Sequence, residues 1–411
     1  MNKYLAIGLV VIGLAISASA SANERWDFNG FVTVGGGLVL DDGQTYYDVD
    51  DSFSLDVDSR LGLQVDVELT DKLSATAQGV ARGRDDWEPE LEWAYITYQP
   101  SSHWKVRAGR MRQPFYMLSD YLDVGYAYSW LRPPKEVYGR LPISWFEGID
   151  LLYTNTIGGW DLQVQTYVAR TDQVLDFAGQ SADTDLEQTG IAVTGSNEWL
   201  TLRGSFHHSD TDIYVASLDP LFGAIQQLGN GLVQAGTQLG IPPLVDAAND
   251  VLGIPADMDI SDKSASFIEA GFVIDTGENW FVRGEWTTVN YDRSIIPEST
   301  GYYATGGLRN RDFTYLLTFA SDKTDPQSGF SDPLLAASAI IGPFDSVTAA
   351  TLNGLAAVVD GATFPAQDIA TWTIGMRWDF MDSMAFKAEY GYTDSGLATT
   401  GVVSFAVDLV F

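Results

Sequence analysis

The stretch FSLDVDSRLGLQVDVEL, from Phe53 to Leu69, has a period of two. Its odd positions carry Phe, Leu, Val, Ser, Leu, Leu, Val, Val and Leu; its even positions carry Ser, Asp, Asp, Arg, Gly, Gln, Asp and Glu. Side chains of a strand alternate across the sheet, so this segment has one oily face and one charged face. Soluble strands usually run about five or six residues, and this alternation lasts far longer. The pattern recurs at Trp160–Val168, Ala370–Trp378 and Val403–Phe411. It predicts strands near 26–40, 52–69, 72–84, 90–99, 103–112, 145–155, 159–169, 186–195, 198–208, 263–274, 279–291, 302–308, 312–321, 369–380, 384–394 and 402–411.

Two architectures accommodate long alternating strands: a soluble sandwich or β-helix with its oily face inward, and a membrane barrel with that face toward lipid. Connection lengths separate them. Minimal turns at 70–71, 100–102, 155–159, 195–197, 275–278, 309–311 and 381–383 alternate with longer segments at 41–51, 85–89, 113–144, 170–185, 209–262, 292–301, 322–368 and 395–401. A transmembrane barrel has short periplasmic turns and long external loops in that order, and a sandwich has no reason to keep it. The expected fold is therefore all-β: a transmembrane antiparallel β-barrel of about 16 strands. Trp104, Trp160, Trp199 and Trp280 each follow a short turn, where an interfacial girdle belongs, although Trp199 is out of phase with Leu200 and Leu202.

The chain's ends and composition agree. MNKYLAIGLVVIGLAISASASA at residues 1–22 has the short apolar run and small-residue ending of a secretory signal peptide, with the cut expected after Ala22. Residues 23–411 then form a single barrel domain. The 411 residues hold no cysteine, and 23 basic against 55 acidic residues give a formal charge of −32. No disulfide scaffold, thiolate metal site or thiol nucleophile exists, and nucleic-acid binding, which needs a basic footprint, is not expected. The three histidines are His103, His207 and His208. Ser205, His207 and Asp210 lie close in sequence, but proximity is no triad, and no nucleophile-elbow, phosphate-loop or zinc-protease pattern occurs. No enzyme activity, cofactor or metal is expected.

With these features, and with FAVDLVF at 405–411 ending on Phe411, the chain resembles the sixteen-stranded trimeric porins of Gram-negative outer membranes. The resemblance implies an outer-membrane location among lipid and lipopolysaccharide, a homotrimer, a water-filled pore, and Phe411 as the signal read by the outer-membrane assembly machinery. The second outer loop, DDWEP at 85–89, is short for the intersubunit latch of that family. The implied activity is passive diffusion of small hydrophilic solutes and ions. The alternatives are a channel selective for sugars or small organic anions, and a non-conducting structural or surface-interaction barrel.

If the oily face meets lipid, the opposite face lines the lumen and receives Arg60, Arg82, Arg84, Arg107, Arg203, Arg283, Glu285 and Arg377, with Lys72, Lys105 and Lys387. Such charges form cross-strand pairs or a selecting field, and Arg60, Arg82, Arg84 and Arg107 suggest a basic stripe. By the resemblance, the third loop at 113–144 enters and narrows the barrel. Asp120, Asp123 and Glu136 then face the basic wall across a transverse field, whereas Arg112, Arg132 and Lys135 argue equally for an anion-preferring constriction. The apolar periodicity at 221–240 and 333–359 predicts short helices in the long loops 209–262 and 322–368, capping the mouth in part.

Overall fold

The computed structural model describes residues 25–411 except Tyr47, Pro142, Ala178 and Gly179. The expected signal peptide lies outside the described residues. Sixteen strands occur in chain order: β1 (Trp26–Val39), β2 (Arg60–Thr70), β3 (Leu73–Arg82), β4 (Pro89–Ser101), β5 (Trp104–Arg112), β6 (Trp145–Ile157), β7 (Trp160–Phe177), β8 (Gln180–Ser196), β9 (Leu200–Tyr214), β10 (Lys263–Asp275), β11 (Trp280–Tyr291), β12 (Glu298–Asn310), β13 (Phe313–Asp325), β14 (Gln367–Met381), β15 (Met384–Asp394) and β16 (Thr399–Val410). Each pairs antiparallel with its neighbours, and β16 returns to β1 from Phe31↔Val410 to Val39↔Val402, closing one barrel. Closure leaves no strand edge unpaired, as a lipid-facing sheet requires.

The alternation sorts residues as the pattern requires. Leu63, Ile96, Val168, Leu317, Ile374 and Val403 are exposed on the outer wall, while Thr76, Gln78, Gln165, Thr305 and Thr371 are buried in the interior. Trp104, Trp199 and Trp280 are exposed beside short turns, at or next to the first residues of β5, β9 and β11, and Trp160, half-buried, opens β7 after the short turn between the first two of these. The polar phase is thus the inner one, an inversion of a soluble core.

The structure differs from the sequence expectation at three places. First, β2 begins at Arg60, not at residue 52. Between Thr33↔Arg60 and the isolated bridge Gly37↔Ser54, β1 advances four residues while its partner advances six, so two extra residues bulge. Asp58, two residues before Arg60, keeps the lumen-facing phase and meets Arg132 of the inward loop. Second, the expected loop 170–185 is mostly strand: β7 and β8 run on to Phe177 and from Gln180 as a long hairpin. The inner face of the extension is buried, with Leu175, Ala182 and Leu186, while its outer face lies beyond the oily belt, so no lipid-facing alternation marks it. Third, the long loop after β9 holds two helices, not one. α2 (Asp219–Leu239) was legible, but α3 (Pro242–Met258), which opens on Pro242-Pro243 and contains Pro255, was not. The loop before β14 forms α4 (Asp332–Ile341) and α5 (Ser346–Gly361).

These four helices share a buried apolar cluster. Ile225 and Leu232 of α2, Leu244 and Val251 of α3, Leu334 and Ile341 of α4, and Leu352 and Val359 of α5 pack together and onto Leu186 and Ile213 at the barrel rim. The apolar face of each helix is covered by the others and by the rim, forming a partial roof.

Candidate functional site

The 32-residue connection from Gln113 to Ser144 turns inward and is fastened to the wall on nearly every side. Its described residues form two 3-10 turns, Ser119–Tyr121 and Gly125–Ala127, and the short α-helix α1 (Lys135–Tyr138). At its first end, Arg203 Nη2 donates to the Pro114 carbonyl at 2.5 Å and Ser205 Oγ to the Phe115 carbonyl at 3.3 Å. Deeper in, Tyr126 Oη donates to the Asp382 carbonyl at 2.7 Å, so the loop reaches the short turn between β14 and β15 at the opposite barrel end.

One flank of this loop is aromatic. Phe115, Tyr116, Tyr128, Trp130, Val137 and Tyr138 pack with Phe267, Phe281, Tyr303 and Leu316 of β10–β13 in one buried cluster. Trp130 Nε1 donates to Thr305 Oγ1 at 3.2 Å and Thr318 Oγ1 at 3.0 Å, satisfying the indole within an otherwise apolar contact. These rings are consumed in holding the loop to the wall and offer no open stacking surface.

The other flank is ionic and faces β2–β5. Arg82 of β3 donates to Glu90 at 2.8 Å and to Asp123 of the loop at 2.9 and 3.1 Å, and also pairs with Glu92. Arg112 reaches Glu92 at 3.0 Å and closes on Asp123 as well. Burial pushes the Asp123 carboxyl up, but Arg112 and Arg82 outweigh it and hold the group well below the usual carboxylate range. Arg60 donates to Tyr128 Oη at 2.8 Å. Arg132 grips the bulge residue Asp58 at 2.5 Å through two nitrogens and donates to Ser404 Oγ at 2.9 Å.

The expected site residues therefore divide. Arg60 and Arg82 stand side by side, Arg84 follows in the turn after β3, and Asp123, Arg132 and Lys135 approach from the loop. Arg107 does not join them: it lies lower on β5 and is bound by both Asp150 oxygens at 3.0 and 3.1 Å, a cross-strand pair. Asp120 is exposed and near enough to Arg107 to act on its charge. Glu136 faces away from the basic wall, accepting a hydrogen bond from Thr371 of β14. There burial pushes its carboxyl up, and the Thr371 bond offsets this only in part. Glu285 accepts from the Met117 amide at 3.2 Å and from Tyr138 Oη at 2.5 Å. Arg283 lies over Trp130, its guanidinium carbon 4.9 Å from the ring centre. Arg377 donates to the Tyr126 and Tyr128 carbonyls at 2.7 and 2.9 Å.

Glu92 is central to this arrangement and escaped the sequence reading. Its strand shifts register between Gln78 and Gly79 of β3, so the outward phase of Ile96 and Tyr98 passes to Leu91 and Glu92 turns in. The histidine neighbourhood is not a triad geometry: His207 Nδ1 is bonded to Tyr167 Oη at 2.9 Å, and Ser205 and Asp210 have other partners. At the chain end, Phe411 exchanges backbone hydrogen bonds of 2.9 and 3.0 Å with Gly30, and its ring lies over that glycine, where a Cβ would stand 2.3 Å away.

Cavities flank the loop on more than one side. A gap of about 170 Å³ between the loop and β2–β3 is lined by Arg60, Arg82, Arg84, Arg132 and Lys135, with Asp48, Asp58 and Asp123. A larger cavity of about 670 Å³ lies toward the long-loop end and shares Asp48, Lys135 and Gly139 with the gap.

No protein-family model matches the sequence, and no curated protein does. Solved structures share the fold. The loop L8 deletion mutant of OmpT, an outer membrane protein of Vibrio cholerae, aligns over 94% of this chain and 99% of its own at 10% identity, with a TM-score of 0.55. The outer membrane channel DcaP of Acinetobacter baumannii aligns over 95% and 99% at 11% identity, TM-score 0.54. The anion-selective porin from Comamonas acidovorans aligns over 94% and 99% at 13% identity, TM-score 0.55.

Proposed function

Starting from a barrel fold common to outer-membrane channels, we propose that this chain is an outer-membrane porin through which small hydrophilic solutes and ions diffuse passively, with anions preferred. The gap between the inward loop and β2–β3 carries this reading. Five cationic side chains meet three carboxylates there, and Asp58 and Asp123 are already engaged by Arg132, Arg82 and Arg112. Arg82 is matched further by Glu90 and Glu92, so the cations that face solvent at the gap are Arg84 and Lys135, although the whole chain carries −32, and a charged constriction selects by its own sign. The side chains proposed to face permeating ions are Arg60, Arg84, Arg132 and Lys135. Arg107, Arg203, Arg283 and Arg377 serve the wall and the loop's attachment.

Planar-bilayer recording tests the proposal. Stepwise conductance with a reversal potential displaced toward the anion under a salt gradient supports it; a displacement toward the cation refutes the preference. A folded barrel that never conducts refutes the channel, in favour of a structural barrel whose inward loop fills the lumen. That second reading has its own support in the hydrogen bonds binding the loop to strands around the wall.

Homotrimer assembly and recognition of Phe411 by the outer-membrane assembly machinery belong to the same proposal. Trimers are expected to change mobility on a gel when boiled. Deletion of Phe411, which also ends the β16–β1 pairing, is expected to lower the amount of folded barrel in the membrane.

A further inference from the structure

The helical roof leaves part of its apolar surface open. The buried stripe of α2 runs through Ile225, Gly229, Leu232 and Gly236, and a second stripe, Ala224, Leu228, Gly231 and Ala235, adjoins it at helical spacing. α5 repeats the arrangement: Leu352, Ala356 and Val359 are buried, and Thr348, Thr351, Leu355 and Val358 lie beside them. The helices pack in chain order, α2 on α3, α3 on α4 and α4 on α5, so α2 and α5 end the row. Their second stripes border a groove of about 690 Å³, with Leu232 and Ile341 at its buried floor. We propose that this groove docks a cationic amphipathic helix of a partner polypeptide. The inference goes beyond the channel reading and does not depend on whether the barrel conducts.

The shape argues for a helix. Two stripes of helical period bordering one groove form the seat into which an amphipathic helix lays its own apolar face. The α2 stripe is about 16 Å long, or three turns. Three of its four residues are Ala or Gly, which lets a partner backbone come close, and a Cβ placed on Gly231 would meet no atom within 4 Å. Beside Asp345, Phe344 and Val347 are 67% and 75% exposed and extend the apolar surface around the start of α5.

The charge chooses the partner. Residues 216–262 and 326–362, which include all four helices, carry nine aspartates and no Glu, Lys, Arg or His. Asp257 is matched by Arg293 from outside these segments, while Asp345 is exposed on the groove itself. A second copy of the chain would bring the same acidic helices, and a lipid chain would arrive under an anionic headgroup; both meet repulsion. A helix with Lys or Arg on its polar face meets attraction and buries its apolar side chains in the groove.

The test uses the full-length barrel in zwitterionic lipid nanodiscs, with empty discs as background. The probe is a labelled leucine–lysine helix of about four turns with its leucines on one face, followed by fluorescence anisotropy at low salt. A leucine–glutamate peptide in the same order and a leucine–lysine peptide in scrambled order are the comparisons. The barrel is expected to bind the leucine–lysine helix at least about tenfold more tightly than either. Gly231→Leu fills the groove while favouring the helix it sits on, and is expected to weaken that binding at least about tenfold. Gly223→Leu, the same change on α2 at another open position that does not line the groove, is expected to leave it unchanged. Heat-shifted gel mobility shows that each variant is folded. Equal binding of either comparison peptide, or full binding by Gly231→Leu, overturns the inference. So does another occupant: a fluorescent fatty acid that binds more tightly than the helix and is lost in Gly231→Leu assigns the groove to lipid, and pairing of wild-type discs that Gly231→Leu abolishes assigns it to a second copy.

Discussion

Arg60 and Arg82 are register partners on β2 and β3, directly opposite each other on the lumen face. Like charges so placed oppose strand pairing, and the offset comes largely from outside the two strands. Asp123 bonds Arg82 at 2.9 Å, and Tyr128 accepts from Arg60 at 2.8 Å. Both partners belong to the inward loop, so docking the loop and tolerating the two arginines are one physical problem. The wall supplies cations that the loop needs for attachment, and the loop supplies the acceptors that let those cations stand together.

Removing Arg82 is therefore expected to cost far more than removing Arg60. Arg82→Met leaves Glu92, which is 0% exposed, and the buried Asp123 with Arg112 as their remaining strong partner. Breaking a buried pair from one side typically costs about 3–5 kcal/mol. Arg60→Gln loses a bond to a neutral hydroxyl and relieves the repulsion, so its cost is expected below about 1.5 kcal/mol. Urea unfolding of the two purified variants in detergent compares them; equal midpoints would show that the Asp123 cluster does not hold the loop.

Arg84 and Lys135 are the exposed cations at the gap, and Arg84 has the loose partner Asp85 at 3.6 Å. The double variant Arg84→Glu, Lys135→Glu changes the local charge without emptying a buried pair. It is expected to move the reversal potential from the anion side to the cation side at low salt, and to do so less at 1 M salt, where the screening length is about 3 Å. An unchanged reversal potential would place the selecting constriction elsewhere.

The strand set was legible because lipid outside and water inside impose one period on every strand from β1 to β16. Deviations fell where that pressure stops. The β2 bulge at residues 55–59 and the extended β7–β8 hairpin lie toward the long-loop end, beyond the oily belt, where alternation no longer reports the fold. The strand phase puts Arg60, Arg82 and Arg107 on the inner wall, but it does not give their partners. Glu136 and Asp123 are both acidic loop residues, yet one meets Thr371 and the other two arginines. Sequence fixes neither the loop's path nor the phase flip that turns Glu92 inward, because both depend on contacts made across the lumen.

Gly125 marks the deepest seat of the loop. A Cβ there would stand 2.2 Å from Asp408 Oδ1 and 2.8 Å from Thr33 Oγ1, while its carbonyl accepts from Lys387 Nζ at 2.6 Å. Lys387 in turn pairs with Asp408 at 2.9 Å. Gly125→Val is thus expected to unseat this part of the loop, because the alternative is to break a buried ion pair. Larger and noisier single-channel conductance should result, with the β-sheet circular dichroism of the barrel kept. Wild-type conductance from this variant would mean that the seat does not narrow the path.

Glu136 supplies a pH dependence of definite sign. It is 4% exposed, and burial raises its carboxyl above the ordinary glutamate value in the folded chain. The folded state therefore binds a proton more readily than the unfolded state, so this group's contribution falls as pH rises from the ordinary glutamate pKa through the raised one. Glu136→Gln keeps the side-chain oxygen that accepts from Thr371 and removes the titration. The variant is expected to melt at a higher temperature than wild type at pH 8, with the difference shrinking toward zero at pH 4, where both side chains are neutral. Melting followed by circular dichroism at both pH values measures this. A difference that does not shrink on acidification would show that the effect is packing rather than charge, and that Thr371 receives a carboxyl no costlier to ionise than one in water.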